Sequence, residues 1–149
     1  MGHKVAESVQ QPWSERRQEV RPVRVLVADD DRDTVNTLAT ILETEGHVVQ
    51  CVYNGSEVLS TVRFFRPDAV IVDISLPGIS GYAVAQALRY SFTDLRRPLM
   101  IAISGIWKEL PDRLVAEQVG FDHHLQKPCD PLEIVELLAD YKKRPGAGS

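Results

Sequence analysis

The chain has 149 residues, is 44% hydrophobic and 26% charged, and carries a formal net charge of −4. That length suits one domain with a real core, and that charge gives no overall pull toward nucleic acid or an anionic membrane. Cys51 and Cys129 are the only cysteines, which excludes a disulfide framework, and no apolar run reaches the length of a membrane span or follows a signal-peptide pattern. The expected compartment is the cytoplasm.

Residues 1–22 are polar and charged, with Pro12, Pro22 and a single large apolar group, Trp13. They are expected to be a flexible tail, and the arginines Arg16, Arg17, Arg21 and Arg24 a solvated basic patch. The domain is predicted over 23–144, with a short tail at 145–149. Val23 to Ala28 reads as the first strand and runs into Asp29-Asp30-Asp31. Three acids at a strand end need either a cation or solvent, with Asp31 or Asp33 available as a helix cap. Val35, Leu38, Ala39, Ile41 and Leu42 then recur at helical spacing, and Gly46 stops that helix.

Val48 to Tyr53 is predicted as the second strand, and Asn54-Gly55 as a turn or helix start. A second helix carries Val58, Leu59, Val62 and Phe65, and Pro67 closes it. The short apolar run Ala69 to Val72 forms the third strand and ends on Asp73. After Pro77-Gly78 and Gly81, a third helix carries Ala83, Val84, Ala87 and Leu88. Leu99 to Ile103 is the fourth strand and ends at Ser104-Gly105. A fourth helix is predicted over about Leu110 to Val119. His123 to Gln126 forms a weak fifth strand before Lys127-Pro128, and a last helix from Pro131 carries Leu132, Ile134, Val135, Leu137 and Leu138.

Five strand–helix units with strands apolar on both faces predict an α/β doubly wound sandwich around a five-stranded parallel sheet. In such a sheet the acids, Asp73, Ser104 and Lys127 share one edge, the edge where ligands bind. The set reads as a phosphoryl site. Clustered carboxylates suit Mg²⁺, Asp73 can act as a carboxylate nucleophile, and Lys127 and Ser104 can hold phosphoryl oxygens. Neither nucleotide-binding glycine motif occurs, so a nucleotide donor is not expected.

These residues, in this order, strongly resemble the receiver domain of two-component response regulators from about Val23 to Tyr141. The resemblance implies the flavodoxin-like receiver fold and Asp73 as phosphoacceptor. It implies Mg²⁺ held by Asp30, Asp73 and the carbonyl of Ser75, with Asp29 helping through water and Asp31 only adding charge. It makes Lys127 and its cis-linked Pro128 the phosphoryl-binding pair. Ser104 is implied as the switch hydroxyl, coupled to a ring position that falls on His124 in place of tyrosine or phenylalanine. His123 and His124 lack further ligands at metal-site spacing.

By the same resemblance, Ser75 and Ile106 tune self-dephosphorylation, and an apolar Ile106 predicts a slow to moderate rate. Trp107 reads equally as a partner anchor or a core residue. The implied donor is a histidine kinase or a histidine phosphotransfer protein. A homodimer through the fourth helix, fifth strand and last helix is open, and no nucleic-acid or membrane partner is expected. The expected chemistry is self-phosphorylation and autodephosphorylation rather than turnover. Two alternatives are a receiver-like interaction module that works without phosphorylation, and a small aspartyl phosphatase. The second is disfavoured because Ser75 stands where such enzymes carry an acid.

Overall fold

The computed structural model describes residues 22–91, 97–105 and 120–142. Within them lie β1 (Arg24–Ala28), α1 (Arg32–Thr44), β2 (Val48–Val52), α2 (Gly55–Phe65) and β3 (Ala69–Asp73). These are followed by α3 (Gly81–Ser91), β4 (Leu99–Ser104), β5 (His123–Gln126) and α4 (Pro131–Lys142). The predicted tail with Trp13, the predicted helix at Leu110 to Val119, Ile106 and Trp107 fall outside the described residues.

The strands form one parallel sheet in the order β2-β1-β3-β4-β5. Alternation along each strand divides the apolar side chains between two cores. Leu26, Ala28, Val70, Val72, Met100 and Ala102 point to one face and pack with Val58, Val62, Val84 and Leu88 of α2 and α3. Val25, Val27, Ala69, Ile71, Leu99 and Ile101 point to the other and meet Val35, Leu38, Leu42, Ile134 and Leu138 of α1 and α4. Every residue of β3 is buried, as the central strand of a sheet covered on both sides must be.

Helix ends follow local chemistry. Asp31 is the N-cap of α1, its carboxylate accepting from the N–H groups of Asp33 and Thr34. Asn54 caps α2 through the Glu57 N–H, while the Glu57 carboxylate accepts from the Tyr53 N–H at 3.0 Å. Gly46 follows α1 at φ +96°, a left-handed conformation that suits glycine.

Two apolar residues of these helices face water. In α3 the buried stripe is Gly81, Val84, Ala85 and Leu88, and Ala83 is exposed. At about 100° per residue, Ala83 falls on the far side from Val84 and Leu88. For the same reason Leu132 of α4 is exposed, opposite the buried pair Ile134 and Leu138.

The chain leaves β1 toward β2 and returns to place β3 on the other side of β1. The C-terminal ends of β1 and β3 therefore flank the crevice where the strand order reverses, the place where open α/β sheets bind ligands.

Candidate functional site

Asp29 follows β1 directly and continues its pairing, its N–H donating to the Val52 carbonyl at 3.2 Å. Asp73 is the last residue of β3, and the next N–H, of Ile74, donates to the Ile103 carbonyl at 2.9 Å. Sheet pairing thus brings two acids from distant parts of the chain to the edge of the same crevice. Both are buried, with exposures of 4% and 5%, while Asp30 beside them is open to solvent.

Lys127 reaches this pair from the far side of the sheet. Its N–H donates to the Ser104 carbonyl at 2.8 Å, extending the β4–β5 ladder by one residue. Its Nζ lies 2.8 Å from Asp29 Oδ2 and 3.1 Å from Asp73 Oδ2. The Lys127–Pro128 peptide is cis, as the resemblance implied. The remaining oxygens of the pair accept backbone donors: Asp29 Oδ1 from the Asp31 N–H at 3.0 Å, and Asp73 Oδ1 from the Ser75 N–H at 2.9 Å.

One carboxylate oxygen each from Asp29, Asp30 and Asp73 lie within 4.8 Å of one another. Three hard oxygen donors at that spacing fit a small divalent cation such as Mg²⁺. Asp31 is not among them, because its carboxylate is committed to capping α1, where it also accepts from the Thr34 hydroxyl at 2.8 Å. Of the two resolutions open for the acidic run, solvent exposure holds at Asp30 and helix capping at Asp31, while the buried Asp29 is paired with Lys127.

Two glycines hold the frame. A Cβ on Gly81 would stand 2.7 Å from Ile74 Cα and 2.9 Å from the Asp73 carbonyl oxygen, so α3 starts hard against the backbone that carries Asp73. Gly55, at the start of α2, donates its N–H to the Pro77 carbonyl at 3.2 Å, and a Cβ there would collide with the Ile79 backbone. The 74–80 loop is thereby clamped between the starts of two helices.

Ser104 and His124 lie on neighbouring strands, with His124 paired to Ala102. Alternation places both on the sheet face covered by α2 and α3. Both are half-buried, and the ring nitrogens of His124 are shielded from water. Ser75 is exposed just past Asp73. Ile106 cannot be placed, since it lies outside the described residues.

Burial raises the Asp73 pKa, and the Asp29 charge adds to this. The Ser75 N–H and the hydrogen bond and charge of Lys127 oppose it, without cancelling it. Burial would lower Lys127, but its hydrogen bonds to Asp29 and Asp73 and their charges outweigh it, and its pKa rises. Asp31 is lowered, chiefly by its hydrogen bond from Thr34.

An acid raised by folding costs stability once it ionises. The folded state keeps a proton that the unfolded chain has lost, so stability falls as pH climbs from the ordinary aspartate value of 3.8 through the raised one. Asp73→Asn removes that loss. In metal-free buffer the variant is expected to be the more stable of the two near neutrality, and the gap should close toward pH 4. Melting curves across pH check this. A gap that does not vary with pH would count against a raised Asp73.

The family model for the response regulator receiver domain matches residues 25–139. The chain is 34% identical over 117 residues to an uncharacterized 14.6 kDa protein in the sodA1 3′ region of Leptolyngbya boryana, covering 78% of this chain and 88% of that one. It is also 34% identical over 124 residues to the transcriptional regulatory protein PrrA of Mycobacterium leprae, covering 83% of this chain and 52% of PrrA. The chain thus spans about half the length of the mycobacterial relatives. Among solved structures, the signal receiver domain of a response regulator from Bermanella marisrubri is 25% identical with a TM-score of 0.70, covering 80% of this chain and 98% of that one. Chemotaxis response regulator CheY4 of Vibrio cholerae shares the fold at a TM-score of 0.69 and 23% identity, covering 79% of this chain and 97% of its own. The five-stranded parallel sheet with helices on both faces, the acidic crevice at its edge and these matches identify the chain as a response regulator receiver domain, with the flavodoxin-like α/β fold of that family.

Proposed function

We propose that this receiver domain accepts a phosphoryl group on Asp73 from a phosphohistidine of a histidine kinase or histidine phosphotransfer protein. The observation that carries the proposal is the meeting of the Asp29, Asp30 and Asp73 carboxylates with the Lys127 ammonium at the switch point of the sheet. An Asp73 oxygen attacks phosphorus, the phosphorus–nitrogen bond breaks, and the departing imidazole takes up a proton from solvent. Asp29, Asp30 and Asp73, with the Ser75 carbonyl, would hold Mg²⁺, which when bound neutralises the acids and one phosphoryl oxygen.

Lys127 is placed to pass from its carboxylate partners to a second phosphoryl oxygen. Ser104 is the hydroxyl assigned to a third, and His124, on the same sheet face, takes the part of the coupled ring. Ser75 and Ile106 are assigned the tuning of phosphoryl loss. The proposed surroundings are cytoplasmic, and no described helix is long and apolar enough to cross a membrane. Pairing of two copies through the predicted fourth helix, β5 and α4 remains a proposal of the same kind.

The test is intact mass after incubation with acetyl phosphate, with and without Mg²⁺. The expected result is a gain of about 80 Da, one phosphoryl group, that needs Mg²⁺ and is absent in Asp73→Asn. No gain from acetyl phosphate or from a promiscuous histidine kinase would instead favour a docking module that works unphosphorylated.

A further inference from the structure

Arg32 breaks a local rule. It is the first residue of α1, where the helix dipole is positive and a cation is disfavoured, and it follows three aspartates directly. A residue that violates its local preference points to a use elsewhere. Its guanidinium has not collapsed onto those acids. The guanidinium carbon lies 3.9 Å from the centroid of the Tyr53 ring, a cation–π stack, and among the described residues Arg32 forms no ion pair.

Tyr53 is itself fixed. It follows β2, Val52 pairs with Ala28 of β1, and the Tyr53 N–H is bonded to the Glu57 carboxylate. Tyr53 and Asp29 therefore leave the sheet side by side, and the stack stands at the rim of the acidic crevice on its β2 side. Lys127 enters from the β5 side and is committed to Asp29 and Asp73. Among the described residues Asp29, Asp30, Asp31 and Asp73 outnumber Lys127 and Arg32 here, so an anionic donor meets a repelling mouth. Arg32 is exposed, and its charge is not spent on a neighbouring carboxylate among the described residues.

We propose that Arg32, held on Tyr53, steers anionic phosphoryl donors to Asp73 and sets preference among them by their charge. This inference rests on the reading of Asp73 as phosphoacceptor. With acetyl phosphate the step is balanced without a proton: an Asp73 oxygen–phosphorus bond forms, the phosphorus–oxygen bond to acetate breaks, and acetate leaves with the electron pair. Arg32 acts before that step, on approach, and touches no bond that changes. It is a positioning residue for the donor.

The experiment measures second-order rate constants of phosphoryl gain by intact mass, with Mg²⁺ present, at low salt and at 1 M salt, where charges are screened beyond about 3 Å. The donors are acetyl phosphate, a dianion, and phosphoramidate, which carries one net negative charge. At low salt Arg32→Ala is expected to slow acetyl phosphate about 5-fold and phosphoramidate about 2-fold, and both differences should vanish at high salt. Arg32→Lys should recover most of the rate. Tyr53→Leu, which keeps the charge but frees it, should lose part of the rate, and phosphoryl decay should be unchanged throughout. Equal rates and salt slopes in wild type and Arg32→Ala would overturn the inference. So would an equal loss for both donors at every salt concentration, which would mark a structural role. A wild type that gains no phosphoryl group from either donor or a histidine kinase would overturn the phosphoacceptor reading itself, a result distinct from both.

Discussion

Lys127→Met is expected to slow the proposed gain of phosphoryl on Asp73 by about 100-fold or more at saturating Mg²⁺, the size of loss that follows removal of one preorganised charge from a reacting centre. Two effects act together. The ammonium is the cation that lies between Asp29 and Asp73, at 2.8 and 3.1 Å. Without it, the hydrogen bond and charge that oppose burial and Asp29 in raising the Asp73 pKa are gone. The charge that would meet a phosphoryl oxygen as it transfers is lost as well. Two buried carboxylates are also left facing each other, which costs about 2 kcal/mol of stability in metal-free buffer. The rate is read by intact mass and the stability by melting. A variant that is phosphorylated at the wild-type rate would remove Lys127 from the chemistry.

Gly81→Ala should cost about 3 kcal/mol, or roughly 10 °C in Tm, the upper end of what overpacking a tight site brings. The reason is what the new methyl would meet. Ile74 Cα and the Asp73 carbonyl are backbone and cannot swing aside, so α3 or the loop must move. Displacing either shifts Asp73 against Lys127 and Asp29, and the folded fraction should also be phosphorylated more slowly. Two controls isolate the cause. At Gly105 the nearest atom to a new Cβ is Lys127 Cδ at 3.9 Å, ordinary contact, and Gly105→Ala should cost little. At Gly46 there is open space but φ is +96°, so Gly46→Ala reports backbone strain alone, about 1 kcal/mol. A Gly81 variant no less stable than the Gly105 variant would refute the close approach.

The strand ends were legible because local patterns mark them. The run Ala69 to Asp73 is apolar until one acid, and the observed β3 has those limits; β5 likewise spans His123 to Gln126. Parallel pairing then follows from the double-sided burial, and it carries Asp29, Asp73, Ser104 and Lys127 to one edge. What stayed hidden depends on approach between distant segments. Asn54-Gly55 signals a helix start, but nothing in those letters says that Ile79 backbone will press on Gly55. The resemblance implies Lys127 for the site, yet its simultaneous hold on two acids depends on the register of four strands. Ala83 and Leu132 are apolar by letter, but their angle around the helix turns them to solvent. The Arg32–Tyr53 stack joins a helix start to a strand end across the chain, and no spacing rule anticipates it.

The run Asp29-Asp30-Asp31 is three identical letters with three different tolerances. At Asp31 the task is to accept N–H bonds at a helix start, so serine, threonine or asparagine would serve as well. Asp30 faces solvent and is free of packing, though its carboxylate must stay within reach of Asp29 and Asp73 to hold a cation with them. Asp29 has neither freedom. It is buried, and each oxygen is already engaged, one by the Asp31 N–H and one by Lys127. Drift through this stretch should therefore be uneven, widest at the third acid and closed at the first.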